Sequence, residues 1–133
     1  MFVRYIQQIF LVSAFFGLCT VAGAATRTWT GAGADDKMSN PANWAENAGA
    51  ASGDSLVFPP VSNRYSVFND VIVGSPPVFG NFPSITVQGG NYTFGGNFNL
   101  NVGSIRVLAG NANFGYPSGG HLVGNLYAGE GVT

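Results

Sequence analysis

The sequence predicts an all-β fold, a β-solenoid whose first coil is covered by a cap that contains both tryptophans. Short apolar strands separated by Gly, Asn and Pro follow one another, and helical patterns are almost absent. Two neighbouring strands recur at a constant spacing of 20 positions. An aromatic-rich segment with little regular structure precedes these repeats.

The segment 1–24 is predicted to be a secretory signal peptide. Arg4 precedes an uninterrupted apolar run from Ile9 to Val21, and small residues at 22–24 suit a cleavage site. We expect cleavage between Ala24 and Ala25 and export to the outer cell surface or the medium, through the periplasm. An uncleaved anchor is the alternative, although a spanning helix needs about 20 apolar residues. Because the single cysteine leaves with this segment, disulfides do not hold the mature chain.

Composition excludes several classes of function. After removal of the signal peptide, four basic and six acidic residues leave a net charge near −2. This charge offers no electrostatic footprint for nucleic acid or for an anionic membrane. Charged residues make up only 8% of the chain, but 20 glycines and 14% aromatic residues indicate an ordered β protein with many turns rather than disorder.

The predicted strands are apolar, β-branched or aromatic, and each ends at a turn residue. They cover residues 55–58, 65–73, 84–87, 92–94, 97–102, 104–109, 111–114 and 121–127. Prolines at 59–60, 76–77 and 83 are expected to stay out of central strands, because proline cannot donate a hydrogen bond to a neighbouring strand.

The repeat joins SITVQGGNYTFGG at 84–96 with SIRVLAGNANFGY at 104–116, and seven of the 13 positions are identical. A weaker third copy at 124–130 matches 98–104 with an offset of 26, as though 116–121 were an inserted loop. Coils stacked about 4.8 Å apart would bury like residues on one another. Gly and Asn at the corners would tolerate the left-handed conformation. A β-sandwich with similar hairpins is the alternative fold.

The segment 25–60 is interpreted as the cap, and 61–133 as the first coils. The top of a solenoid is an open apolar section with unpaired strand edges, which a large aromatic cover would protect. Trp29 and Trp44 are expected to lie on the first coil, with Met38 and Phe58 filling the gaps between them.

The order of motifs TWTG, NPANW, GDSLVF and then SITVQGGNYTFGG resembles the start of secreted bacterial proteins with autotransporter-associated β-strand repeats. The likeness covers residues 28 to about 114. It implies a right-handed parallel β-helix at the cell surface or outside the cell. Met38 departs from the pattern, since the family commonly has a further tryptophan there; a thioether can still fill the gap.

No enzymatic site, metal or cofactor is expected. The single histidine, His121, lies in a Gly-rich loop without a nucleophile beside it in the sequence. Asp35 and Asp36 are adjacent and are interpreted as a solvated loop pair rather than as catalytic carboxylates. Asn91 fits a glycosylation pattern, but it falls at a repeat corner, and the implied bacterial source argues against the modification.

Two functions therefore remain open. The first is a non-catalytic surface segment for adhesion or display, with a surface polysaccharide or a host or neighbouring cell as partner. The second is a carbohydrate-binding module of a larger secreted enzyme, with a platform of exposed aromatics. That platform would draw on Trp29, Trp44, Tyr65, Tyr92 and Tyr116.

The end of the sequence suggests a fragment of a longer protein. About two and a half coils are recognisable between 84 and 133, and linear repeats usually need three or more. We expect NLYAGEGVT to present an unpaired strand edge and an open core beneath Val107 and Leu126. Through this edge the chain is expected to self-associate.

Overall fold

The computed structural model describes residues 23–74, 78–96, 101–115 and 123–129. Within these ranges there are β-strands and one 3-10 helix but no α-helix, which confirms the all-β prediction. The 3-10 helix is Pro41–Asn43. The strands are β1 Thr26–Thr28, β2 Ser55–Phe58, β3 Ser66–Asn69, β4 Ile72–Val73, β5 Val78–Phe79, β6 Phe82–Val87, β7 Asn91–Gly96, β8 Asn101–Val107, β9 Asn111–Phe114 and β10 Val123–Ala128.

Two parallel sheets organise the chain. The larger has the order β1-β2-β6-β8-β10 and the smaller the order β3-β7-β9, so from β6 to β10 successive strands alternate between them. Between β3 and β6 the chain also forms the antiparallel pair β4-β5. All strand pairs in the five-stranded and three-stranded sheets are parallel. The antiparallel hairpins of the alternative sandwich are therefore not present in these two sheets.

The register predicted from the repeat is confirmed in both sheets. Ile85 pairs with Ile105 between β6 and β8, and Phe94 pairs with Phe114 between β7 and β9. Identical apolar side chains therefore lie above one another. The rings of Phe94 and Phe114 stack with centroids 4.7 Å apart and an interplanar angle of 11°.

The third copy was assigned the wrong register. Strand β10 pairs with β8 so that Leu126 lies opposite Ile105, an offset of 21 rather than 26. The ladder shifts by one position between Val123 and Asn125. The sequence match at 98–104 aligned small and amide residues, whereas pairing of the strands is decided by which apolar residues face the core.

Glycine and asparagine have different roles at the corners between strands. Gly90 and Gly110 have φ angles of 82° and 74°, and a Cβ on Gly110 would overlap the carbonyl oxygen of Gly90. Asn91 and Asn111, in contrast, begin β7 and β9 and pair with each other. At these corners the left-handed conformation is therefore adopted by the glycines and not by the asparagines that follow them.

Pro83 lies inside β6, a central strand, contrary to the sequence expectation. The described pairing of β6 with β2 begins only at Ile85, opposite Leu56. Along this part of β6 the ladder partner is therefore β8 alone. Since no residue of β2 pairs with Pro83, the N–H that proline lacks is not needed for a ladder hydrogen bond on that side.

The core lies where side chains of both parallel sheets meet. The larger sheet contributes buried residues of β2, β6 and β8, and the smaller sheet contributes buried residues of β3 and β7. These residues are Leu56, Phe58, Phe82, Ile85, Val87, Val102, Ile105, Val107, Val67, Tyr92 and Phe94. Each large apolar side chain removed from water stabilises the fold by about 1.5–3 kcal/mol before the entropy of ordering is subtracted.

Candidate functional site

The four residues assigned to the cap lie together at the β1 end of the larger sheet. Trp29 and Phe58 have no solvent exposure, while Met38 is 1% and Trp44 3% exposed. The two indole rings meet edge to face with centroids 5.1 Å apart, and Phe58 lies 6.0 Å from Trp29 and 6.1 Å from Trp44. Phe58 also contacts Phe94 edge to face at 4.9 Å, so one aromatic cluster joins this end to the smaller sheet.

Both indole N–H groups are used inside the protein. The Nε1 of Trp29 donates to the carbonyl oxygen of Arg64, and the Nε1 of Trp44 donates to that of Met38, each at 2.8 Å. A buried indole is stable only where this donor has a partner. The two tryptophans therefore fasten the segments around residues 38 and 64 to the aromatic cluster.

The outer edge of β1 is covered by the segment 44–46. Trp29 and Trp44 form an antiparallel bridge, and the N–H of Ala45 donates to the carbonyl oxygen of Thr28 at 2.9 Å. The N–H of Thr28 donates to both carboxylate oxygens of Glu46, at 3.0 and 3.1 Å. An edge strand with its peptide groups occupied in this way offers less of a template for another chain.

The first strand of the smaller sheet is covered in the same manner by the segment 36–38. The N–H of Phe68 in β3 donates to the carbonyl oxygen of Asp36 at 2.7 Å, and the N–H of Met38 donates to the carbonyl oxygen of Phe68 at 2.9 Å. The backbones of Lys37 and Phe68 thus form an isolated parallel β-bridge. Neither covering segment has apolar residues at alternate positions, so no strand-like pairing was predicted for them from the sequence.

The NPANW motif builds the turn that carries Trp44. The side chain of Asn40 accepts from the N–H of Ala42 and so caps the 3-10 helix. Asn43 is fully buried; its Nδ2 donates to the carbonyl oxygen of Lys37 at 2.9 Å, and its Oδ1 accepts from the N–H of Gly33 at 2.8 Å. One buried amide thus joins three parts of the loop, and this requires an asparagine rather than an apolar residue.

Asp35 and Asp36 do not act as a pair. The Oδ1 of Asp35 accepts from Nδ2 of Asn40 at 2.9 Å, and this hydrogen bond is the main cause that holds the pKa of Asp35 below its usual value. Asp36 accepts from the hydroxyl of Ser66 at 3.1 Å. Each carboxylate therefore orders its own part of the loop.

Asp54 has a role that sequence analysis missed. It lies in the turn before β2, where it accepts from the N–H of Ala51 at 3.0 Å. It also accepts from the N–H of Ala25 at 2.9 Å and forms an ion pair with Nε of Arg27 at 3.0 Å. Asp54 is 2% exposed; this burial by itself would raise its pKa, but the two N–H groups and the guanidinium together lower the pKa.

The residues of the possible sugar platform are mostly inside the protein. Trp29, Trp44 and Tyr92 are buried, and the Tyr92 hydroxyl donates to the carbonyl oxygen of Pro59 at 2.7 Å. Desolvation by burial raises the pKa of this hydroxyl. Tyr65 is 36% exposed, and Tyr116 lies outside the described residues. These aromatics therefore do not form one flat exposed surface.

Other predicted features lie partly or wholly beyond the described ranges. The signal peptide up to residue 22, His121, and the final residues 130–133 lie outside them. Ala24 is exposed and Ala25 half-buried. Among the described residues, no helix has the length and apolar character needed to cross a bilayer, and no three His, Cys, Asp or Glu side chains come together as metal ligands.

Two surface clefts of about 330 and 320 Å³ occur in the described part of the chain. The first lies beside β4, and its one carboxylate, Asp70, already accepts from the N–H of Ser39 at 2.9 Å. The second lies between the end of β1 and the segment 59–63, and it contains no charged side chain. In the first cleft the hydroxyl of Ser39 also donates to the carboxylate of Asp70, but the described linings of both clefts lack histidine, lysine and arginine.

Comparison with known proteins gives no relative from which a function could be transferred. No family model, no curated protein and no solved structure matches the chain.

Proposed function

We propose that this chain forms the cap and first coils of a secreted right-handed parallel β-helix, and that its function is adhesion or display at a bacterial surface rather than catalysis. The observation that carries the proposal is the double cover of the strand edges, by 44–46 on β1 and by 36–38 on β3. A linear stack of coils needs such a cover at its first end.

The pairing pattern supports the β-helix. Strands β6 to β10 alternate between two parallel sheets, and each pairs with the strand of its own sheet one repeat away. A coil in such a stack contacts mainly its neighbours, so whole coils can be added without changing the others. The resemblance of TWTG, NPANW and GDSLVF to the start of proteins with autotransporter-associated repeats supports export and surface exposure.

The fold is tested by inserting one additional coil. A second copy of the segment 84–103 placed between Gly103 and Ser104 should give a folded, strand-rich protein, since it repeats the spacing that pairs Ile85 with Ile105. The matched control inserts the segment 94–103 alone, which delivers the next strand to the wrong sheet. We expect the half-coil insertion to unfold the protein or to lower its Tm sharply. Equal tolerance of both insertions, or equal loss with both, would contradict the β-helix.

The surface role is tested on cells. Antibodies raised against the purified mature chain should label intact cells of the bacterium that carries the gene. Labelling that appears only after permeabilisation would contradict display. Particles coated with the mature chain should bind cells or surface polysaccharide more than particles coated with a heat-unfolded sample do.

Carbohydrate binding is the second candidate, and one observation favours it. On β10, Tyr127 is 51% exposed, and the guanidinium of Arg106 lies 5.4 Å from its ring centre. Exposed aromatic rings beside hydrogen-bond donors are typical of sugar-binding surfaces. Retarded migration in polysaccharide gels that is lost in Tyr127→Ala but kept in Val61→Ala, a change at another exposed apolar residue, would favour this function over display alone.

A further inference from the structure

The carboxylate of Asp54 lies where the first residue of the processed chain would begin. Its Oδ1 is 2.9 Å from the backbone nitrogen of Ala25, and its Oδ2 is 3.0 Å from Nε of Arg27. Ala25 is held in place by its own carbonyl oxygen, which accepts from the N–H of Ser55 at 2.8 Å. The buried carboxylate of Asp54 therefore contacts both the backbone nitrogen of Ala25 and the guanidinium of Arg27.

The two residues before Ala25 that the structure describes are Gly23 and Ala24. Both are exposed, and a Cβ placed on Gly23 would meet no atom of the described residues within 4 Å. The expected cleavage site, the bond between Ala24 and Ala25, joins an exposed residue to a half-buried one. Hydrolysis of that bond adds one water, leaving a carboxylate on Ala24 and an ammonium group on Ala25.

We propose that Asp54 is the receptor for the α-ammonium group created by cleavage after Ala24, so that processing itself stabilises the exported fold. Before cleavage the nitrogen of Ala25 is a neutral amide with one N–H. After cleavage it carries a positive charge and three N–H donors at the same distance from a carboxylate that is 2% exposed. Charged donors make stronger hydrogen bonds than neutral ones, especially where water is excluded.

The proposal rests on the proposed export for the place of cleavage, but its physical content can be measured separately. Three forms of the mature chain are compared: one that starts with a free Ala25, one that starts with N-acetyl-Ala25, and one that starts at Gly23. The acetylated form keeps the N–H donor and lacks the charge. At pH 7 the free form should melt about 4–8 °C above the other two, the shift expected when a protein of this size gains one charged hydrogen bond.

The advantage of the free form should depend on pH in a defined direction. Asp54 and Arg27 are the titratable side chains that the structure brings together at this nitrogen. The carboxylate favours the protonated amine in the folded state. The advantage is therefore fully present between about pH 4, above which the Asp54 carboxylate is ionised, and about pH 8, below which the amine of an unfolded chain is still protonated. It is lost as the pH rises further.

Asp54→Asn should abolish the difference between the free and the acetylated forms, whereas Asp36→Asn, which removes a half-buried carboxylate elsewhere in the cap loop, should preserve it. If Asp54→Asn does not fold, the comparison of free with acetylated wild-type chain still decides, because it needs no substitution. Equal Tm values for these two forms between pH 5 and 10 would overturn the proposal. So would a difference that survives in Asp54→Asn.

The cellular half of the proposal is read from the N-terminus of the exported protein. A first residue of Ala25 supports it. Any other first residue places the ammonium group away from Asp54 and overturns it, whether or not antibodies label the cell surface. Failure of this inference is thereby distinguished from failure of the proposed display function.

Discussion

Replacement of Phe58 by alanine tests whether the aromatic cluster holds the cap to the repeats. Phe58 has no solvent exposure, and its ring contacts those of Trp29, Trp44, Tyr92 and Phe94 at centroid distances between 4.9 and 6.1 Å. No other phenylalanine in the described residues touches both tryptophans. Its removal leaves a cavity between the cap and the layer of β6 and β7.

The expected cost follows from the size of the lost side chain. A buried Phe→Ala change costs about 3–5 kcal/mol, because the transfer free energy of the ring is lost and the cavity collapses only in part. Each aromatic pair adds about 0.5–1.5 kcal/mol in other proteins, but four pairs around one ring are not additive. Since a domain of this size is stable by about 5–15 kcal/mol, the variant should keep its fold with a Tm lowered by roughly 12–24 °C.

Tryptophan fluorescence is a direct assay, because both tryptophans of the chain lie against Phe58. The wild-type protein should emit at short wavelength and resist quenching by iodide. Phe58→Ala should shift the emission to longer wavelength, increase quenching and lower the denaturant midpoint, with far-ultraviolet circular dichroism as a second probe of unfolding.

Two controls make the result interpretable. Val61→Ala changes a side chain that is 81% exposed and should alter stability by less than about 0.5 kcal/mol. Phe58→Leu keeps apolar volume and should cost less than Phe58→Ala. A loss below about 1 kcal/mol in Phe58→Ala, with unchanged emission, would show that the cluster does not hold the cap and would refute the reasoning.

Three further predictions concern the corners, the covered edge and the acid response. Gly110→Ala should cost at least about 2 kcal/mol in chemical denaturation, because φ is positive and the new Cβ meets the backbone of the preceding corner. Gly115→Ala, where no described neighbour lies closer than 3.6 Å, should be nearly neutral. Glu46→Ala should lower stability by about 1 kcal/mol and increase concentration-dependent association in sedimentation experiments, because the N–H of Thr28 loses its acceptor at the sheet edge; unchanged sedimentation would count against the covering role. The lowered pKa of Asp54 means that its contribution is present above about pH 4 and is lost as the pH falls through the folded-state value, so the wild-type protein should lose stability on acidification more steeply than Asp54→Asn.

Much of the strand layout could be read from the residues because it is a local property. Alternating apolar residues and turn glycines located β2, β7 and β9 to within a few positions. Identity at a constant spacing also predicted which residues pair across β6–β8 and β7–β9, since stacked strands bury like side chains on one another. The same logic failed for β10, where the third repeat is too degenerate for its register to be found by identity.

The short strands β1 and β5 were not predicted. A strand as short as β1 has no period to detect, and it exists because its backbone pairs with β2, on the far side of the whole cap loop. A signal for the first layer was nevertheless present, because Ser55-Leu56 resembles Ser84-Ile85, and those leucine and isoleucine residues pair. The spacing between Leu56 and Ile85 differs from the spacing of 20 in the later repeat, so a search for a constant spacing did not detect the first layer.

The sequence by itself determined that this is an all-β chain, which apolar residues of the repeat stack on one another, and that two tryptophans stand apart from the repeats. Only the tertiary structure decided what those tryptophans contact and which groups close the strand edges. It also decided that the buried carboxylate of Asp54 meets Ala25 and Arg27. The physical reason is that each of these contacts joins segments far apart in the chain through single hydrogen bonds or ring edges. Such contacts leave no periodic trace in the sequence, and they form only when the parallel sheets bring the distant segments together.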